Sequence, residues 1–352
     1  MPHTTHIAVC KGSPPVRTLV VADFHLGARL RHDVLRHPEP LERLLDAIDD
    51  VERLVLLGDV VELMEGRARQ SMAAAEPVLR ALGERLGSER EVIIVPGNHD
   101  LPLVRSFVRA RGSTFSVEES VPLDATPALA RLAGWLAPAR VRARYPGVWL
   151  SERVWATHGH YLDRHLLPDS AVGIARGPLG SPPREQAVPI DYERVRRPSV
   201  TRATSWLPQP LAALVDDLAE LARATSMPRV PRRLLDPRIA PLTAMLLGAQ
   251  MRHAGIPALA RVVHRLGVDA DWVLFGHVHR LGPLDGDDPL QWQAPGGRPR
   301  IVNTGSWLYE PLLLHRAQPP HPYWPGGAVL LEPGRDPRAV GLLDGLDADA
   351  LR

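Results

Sequence analysis

The sequence predicts an α/β fold, and three observations carry that prediction. Four short apolar runs have strand length: Leu19 to Ala22, Leu54 to Leu57, Val92 to Val95 and Trp272 to Phe275. Stretches with helical apolar spacing lie between the first three of them. Each run is followed within three residues by Asp, Asn or His, as happens where ligands gather at the carboxyl ends of buried strands.

Taken in order, residues 1–16 read as a flexible leader. Arg17 to Ala22 reads as a buried strand, since Leu and Val follow one another without alternation. Glu39 to Val51 reads as a helix with Leu41, Leu44, Leu45 and Ile48 on one stripe. A strand at Leu54 to Leu57 leads to the turn Gly58-Asp59. Pro77 to Leu86 reads as a helix, with Pro in its first turn and Gly87 at its end. The strand Val92 to Val95 then delivers Gly97-Asn98-His99-Asp100. This strand–helix alternation is the grammar of βαβ units. Thr126 to Ala137 is expected to be helical, and Gly147 to Ala156 holds two short apolar runs ending at Thr157-His158.

Residues 165–210 are crowded with prolines and read as an irregular excursion. Leu211 to Ala224 is amphipathic, and Pro241 to His253 and Ile256 to Leu266 are further expected helices. The domain organisation is therefore a core over 17–164 and 267–352, interrupted at 165–266 by an inserted helical cap. Trp272 to Phe275, Arg300 to Val302 and Ala328 to Leu331 are the closing strands.

Composition bounds the chemistry. The chain has 352 residues, 45% hydrophobic, with a net charge of +2, so it has material for a packed core and is not a polycation. Basic charge is local: eight Arg and one acid, Asp236, lie between Arg223 and Arg265. That stretch suits contact with an anion, including peripheral contact with a membrane surface. One cysteine, Cys10, excludes a disulfide framework within the chain and fits a reducing compartment. The most apolar stretch, Ile239 to Met251, is shorter than the roughly 20 residues that span a bilayer. A cytoplasmic protein is expected.

Five clusters carry the functional signal: Asp23-Phe24-His25, Gly58-Asp59, Gly97-Asn98-His99-Asp100, His158-Gly159-His160 and Gly276-His277-Val278-His279. Each is ordinary alone, as a cap or a turn. Together they offer carboxylate, amide and imidazole ligands, the donors that hard and borderline divalent metals take. The set resembles the signature of the calcineurin-like metallophosphoesterases: D-x-H, G-D, G-N-H-[DE], H and G-H-x-H, with no ligand position replaced. The resemblance covers roughly residues 17–160 and 270–332, and Asn303-Thr304-Gly305-Ser306 after the last block fits it too. One departure is Val278, often Thr in such proteins, which is not a ligand position.

The resemblance implies a four-layer sandwich, two β-sheets flanked by helices, with two divalent metals. Asp59 is the expected bridge. Asp23, His25 and His279 complete one site, and Asn98, His158 and His277 the other. His99 is expected to assist the leaving oxygen, with Asp100 orienting its imidazole. His160, Arg29 and Arg280 are expected to meet the substrate. Extended geometry at His277-Val278-His279 would place both rings on one face. Manganese is the first choice of metal, with Fe, Zn, Co and Ni also suited to oxygen and imidazole.

The implied reaction is hydrolysis of a phosphoester or phosphoanhydride by a metal-activated water. Three substrate classes compete. The first is a small phosphorylated molecule. The second is a nucleotide-linked lipid, because Gly58-Asp59-Val60-Val61-Glu62 and the inserted cap are similar to the UDP-diacylglucosamine pyrophosphohydrolases. The third is nucleic acid, because Asp23 to Gly27 resembles the DNA-ligase-associated phosphoesterases. A different class, the non-catalytic interaction scaffold, is disfavoured by the complete ligand set.

Overall fold

The computed structural model describes residues 15–28, 32–64, 67–165, 186–193, 251–314 and 316–351. The first apolar runs form adjacent parallel strands, β1 (Thr18–Val21), β2 (Arg53–Leu56) and β3 (Glu91–Ile94). Val20 stands opposite Val55, which stands opposite Ile93. Apolar side chains on both faces of these strands are buried, which is why their sequences run continuously apolar instead of alternating. Helix α1 (Pro38–Asp49) connects β1 to β2, and α2 (Ala68–Leu86) connects β2 to β3. Beyond β3 the chain adds α3 (Arg105–Arg111), β4 (Glu119–Val121), α4 (Pro127–Trp135) and β5 (Arg140–Tyr145).

A second sheet follows, made of β6 (Gly147–Trp149), β7 (Val154–Thr157), β8 (Trp272–Phe275), β9 (Leu281–Gly282) and β10 (Arg300–Thr304). The last two strands, β11 (Gly327–Leu331) and β12 (Arg338–Gly341), return to the first sheet. The first sheet has the order β12-β11-β1-β2-β3-β5-β4, and the second β6-β7-β8-β10-β9.

The sheets share a core of alternate residues. Val20, Val55 and Ile93 from one meet Ala156, Leu274 and Val302 from the other. The opposite face of the first sheet packs on Leu44, Leu79 and Leu132 of its helices. The outer face of the second packs on the helix Ile256–Arg265, through Ile256, Leu259 and Val263. The result is the four-layer sandwich: helices, sheet, sheet, helix.

Three expectations need correction. Helix α2 begins nine residues before Pro77, so that proline lies inside it. Met72 and Ala75 are buried on the core, whereas Ala73, whose carbonyl loses its amide partner, is exposed. Burial therefore carries the helix through a residue that should end it. Second, β5 was not anticipated, although Val141, Ala143 and Tyr145 alternate with arginines as in a half-buried strand. Third, the helix Ile256–Arg265, placed by sequence in the cap, is the outer layer of the second sheet. Its apolar face is a core face.

Most of the rest of the expected cap, including the helix over Leu211 to Ala224 and most of the basic stretch, lies outside the described residues, as does most of the expected leader. Residues 186–193 are described, and they pack on the core. Tyr192 stacks on Tyr161 with centroids 4.7 Å apart, and Glu193 accepts hydrogen bonds from the hydroxyls of Tyr145 and Tyr161. Among the described residues, no helix is long and apolar enough to cross a membrane.

Candidate metal centre

All five clusters meet at one place because each lies just past the carboxyl end of a parallel strand. Asp23 and His25 follow β1, Asp59 follows β2, Asn98 follows β3, His158 follows β7, and His277 and His279 follow β8. The two sheets thus contribute ligands from facing ends. Six described non-glycine residues have positive φ, and five of them are Asp23, His25, Asp59, His277 and His279. Such backbone is costly for L-residues and is tolerated where the surroundings over-determine it, often at functional sites. His277-Val278-His279 is therefore a turn, not the extended segment expected from sequence: a turn can send neighbouring rings to different places.

Glycines let the blocks close on each other. A Cβ on Gly97 would collide with the Asp59 carboxylate, and one on Gly276 with Oδ2 of Asp23. Asn303 braces the same region, donating from Nδ2 to the Gly276 carbonyl at 2.6 Å.

The first ligand group is Asp23, His25 and His279. His279 Nε2 lies 3.2 Å from Asp23 Oδ1, and His25 Nε2 lies 3.8 Å from both Asp23 Oδ1 and Asp59 Oδ2. His25 Nε2 is buried without a hydrogen-bond partner, while Nδ1 of the same ring is held by Glu62. Two donors that share an ion at about 2.0–2.2 Å must stand about 3–4 Å apart, and these do. The residues fit a divalent cation.

The second group is Asp59, His158 and His277, with Asn98 beside it. His158 Nδ1 donates to the Leu57 carbonyl at 3.0 Å, which aims Nε2 at Asp59 Oδ2 and Asn98 Oδ1, both 3.1 Å away. Asp59 Oδ2 therefore stands between the two groups. Its other oxygen accepts the His99 backbone N–H at 2.8 Å, which fixes the carboxylate plane.

The electrostatics follow from packing charges in a buried space. Burial opposes ionisation of Asp59, but His158 beside it prevails and holds the carboxyl well below its usual range. Burial likewise opposes the imidazolium of His158, yet Asp59 raises it to about 10. Asp100 is different. Burial, reinforced by the charge of Asp59, pushes it up to about 7.

Asp100 does not play the part expected of it. One carboxylate oxygen accepts the Val60 N–H and the other the Gly97 N–H, tying two ligand loops together. The carboxylate against the His99 imidazole is Glu62, whose Oε2 lies 2.7 Å from Nδ1. Adjacency in sequence misled here because Asp100 folds back across its own turn. Glu62 is not among the site residues expected from sequence, although its position three residues after Asp59 was a signal. Burial works against its charge, but hydrogen bonds from His25 and His99 bring Glu62 down to about 2.

The expected substrate contacts fare unevenly. His160 packs beside both second-group histidines, its centroid 5.6 Å from that of His158 and 6.4 Å from that of His277. Its Nδ1 is buried without a hydrogen-bond partner. Arg280 is a correction: it is buried, bonded through both terminal nitrogens to Asp287, and lies over the Trp292 ring. Its charge is already met by a carboxylate, which leaves it a structural role. Arg29 lies outside the described residues.

Residues 16–181 match the model of the calcineurin-like phosphoesterase family. That span contains the ligand blocks at Asp23, Asp59, Asn98 and His158. Together with the two-sheet architecture, the match supports the metallophosphoesterase superfamily. A search of curated proteins found no match.

Proposed function

We propose that this protein is a hydrolase of a phosphoester or phosphoanhydride that works with two divalent metals bridged by Asp59. The observation that carries the reading is the place of Asp59 Oδ2, 3.8 Å from His25 Nε2 on one side and 3.1 Å from His158 Nε2 on the other. Asp23, His25 and His279 would hold one ion, and Asn98, His158 and His277 the other. When bound, such ions lower the pKa of a water and neutralise charge on phosphoryl oxygens.

The remaining work falls to the chain. His99, a quarter exposed at the edge of the buried ligands, protonates the leaving oxygen, and Glu62 orients its ring. His160 supplies a ring nitrogen toward the phosphate. Manganese is the metal to test first. The complete set of candidate ligands argues against a scaffold without catalysis. The test is metal analysis of the purified protein, then a metal-loaded panel of p-nitrophenyl phosphate, its bis-ester, UDP-sugar and UDP-linked lipid, cyclic nucleotides and single-stranded DNA. Two equivalents of metal with turnover of any of these supports the reading. A well-folded chain that takes up no metal refutes it.

A further inference from the structure

Three of the proposed ligand histidines have one ring nitrogen engaged by a group that is not a proposed ligand. For His25 it is Glu62 on Nδ1, and for His158 the Leu57 carbonyl on Nδ1. For His277 it is Asp163: the carboxylate Oδ1 lies 2.9 Å from Nε2. Asp163 sits on the short 3₁₀ turn His160–Arg164, five residues after His158. His277 comes from the end of a different strand, β8, and its own backbone N–H is tied to Asp23 Oδ2 at 2.9 Å. Backbone and ring are thus anchored separately.

We infer that Asp163 is a positioning residue for the second metal, holding the His277 ring so that Nδ1 is presented as the ligand. A neutral imidazole carries one N–H, and a carboxylate accepts but does not donate when ionised. Asp163 therefore draws the N–H to Nε2 and leaves the Nδ1 lone pair free. A carboxylate behind a ligand histidine also fixes ring orientation and raises basicity, and loss of such a partner typically lowers metal affinity about 10- to 100-fold.

The inference rests on the two-metal reading, and its test separates the two. Metal-free wild type, Asp163→Asn and Asp163→Ala are titrated with Mn²⁺ by calorimetry, with metal content after desalting and the melting temperature of each metal-free protein recorded. Wild type should bind two equivalents. Asp163→Ala should keep the first and bind the second about 10- to 100-fold more weakly. Asp163→Asn, whose amide oxygen still accepts from Nε2, should lose less. Two equivalents at wild-type affinity in Asp163→Ala would overturn the inference alone. So would equal weakening of both ions with a lowered metal-free melting temperature, which marks a merely structural residue. Equal losses in the Asn and Ala variants would also overturn it. If wild type itself takes up no Mn²⁺, the proposed function falls and this inference with it.

Discussion

Oε2 of Glu62 lies 2.7 Å from Nδ1 of His99. The same oxygen lies 3.0 Å from Nδ1 of His25, so one buried carboxylate stands behind both a proposed metal ligand and the proposed acid. Replacing it should injure two functions at once. Glu62→Ala should weaken the first metal by about 10- to 100-fold and lower turnover even at saturating metal. Calorimetry and kinetics in excess Mn²⁺ separate the losses. Full recovery of rate at high metal would mean that Glu62 serves His25 alone.

Asp59→Asn should reduce metal occupancy and activity together, because the bridging oxygen would lose its charge at both groups. Elemental analysis beside a rate assay checks this. Two full equivalents with wild-type turnover would remove Asp59 from the bridging position.

His99→Ala should retain both metals and lose about 10²- to 10⁴-fold in rate on substrates with poor leaving groups. An activated phenolate needs less protonation, so p-nitrophenyl esters should suffer least. The informative plot is the rate ratio against leaving-group pKa; a flat line speaks against proton donation by His99.

Two glycine substitutions should have opposite signs. In Gly276→Ala the new methyl meets Asp23 Oδ2 and the Ala22 side chain, so the variant should lose about 1–3 kcal/mol and part of its first metal. Gly134→Ala, within α4 and with nothing beyond its chain neighbours and its own helix backbone within 4 Å of the added carbon, should gain about 0.4–1 kcal/mol. Denaturant midpoints with and without metal report both.

The metal-free protein should lose stability in alkali through His158. Burial opposes its proton, but Asp59 prevails and raises the folded value from 6.5 to about 10. A raised group stabilises fully below its unfolded value and loses that contribution as pH climbs through the folded one. Melting temperatures taken from pH 6.5 to 10 should fall more steeply for wild type than for His158→Gln. Metal uptake must displace the same proton, so affinity should rise with pH over this window. Parallel melting curves for the two proteins would show that His158 is not protonated in the metal-free fold.

Much of the fold was legible in the chain because burial leaves a linear record. Strands buried on both faces must be apolar over most of their length, as β1 to β3 and β8 are, and apolar residues at helical spacing marked α1 and α4. Local rules misled where tertiary contacts outweighed them, as at Pro77 inside α2. The arginine-rich β5 went unread because its alternation is short and its polar residues dominate the composition.

What the sequence by itself determined about this protein is its candidate ligand set and the order of the blocks, since coordination chemistry needs particular donors and strand ends are where they gather. Which carboxylate serves which histidine was decided only by the tertiary structure. Asp100 adjoins His99 in sequence yet ties backbone N–H groups of two loops, while Glu62 supports His99 and Asp163 supports His277, 114 residues away. Hydrogen bonds act over about 3 Å of space, whatever the separation along the chain, so only the packing of the two sheets could bring these partners together.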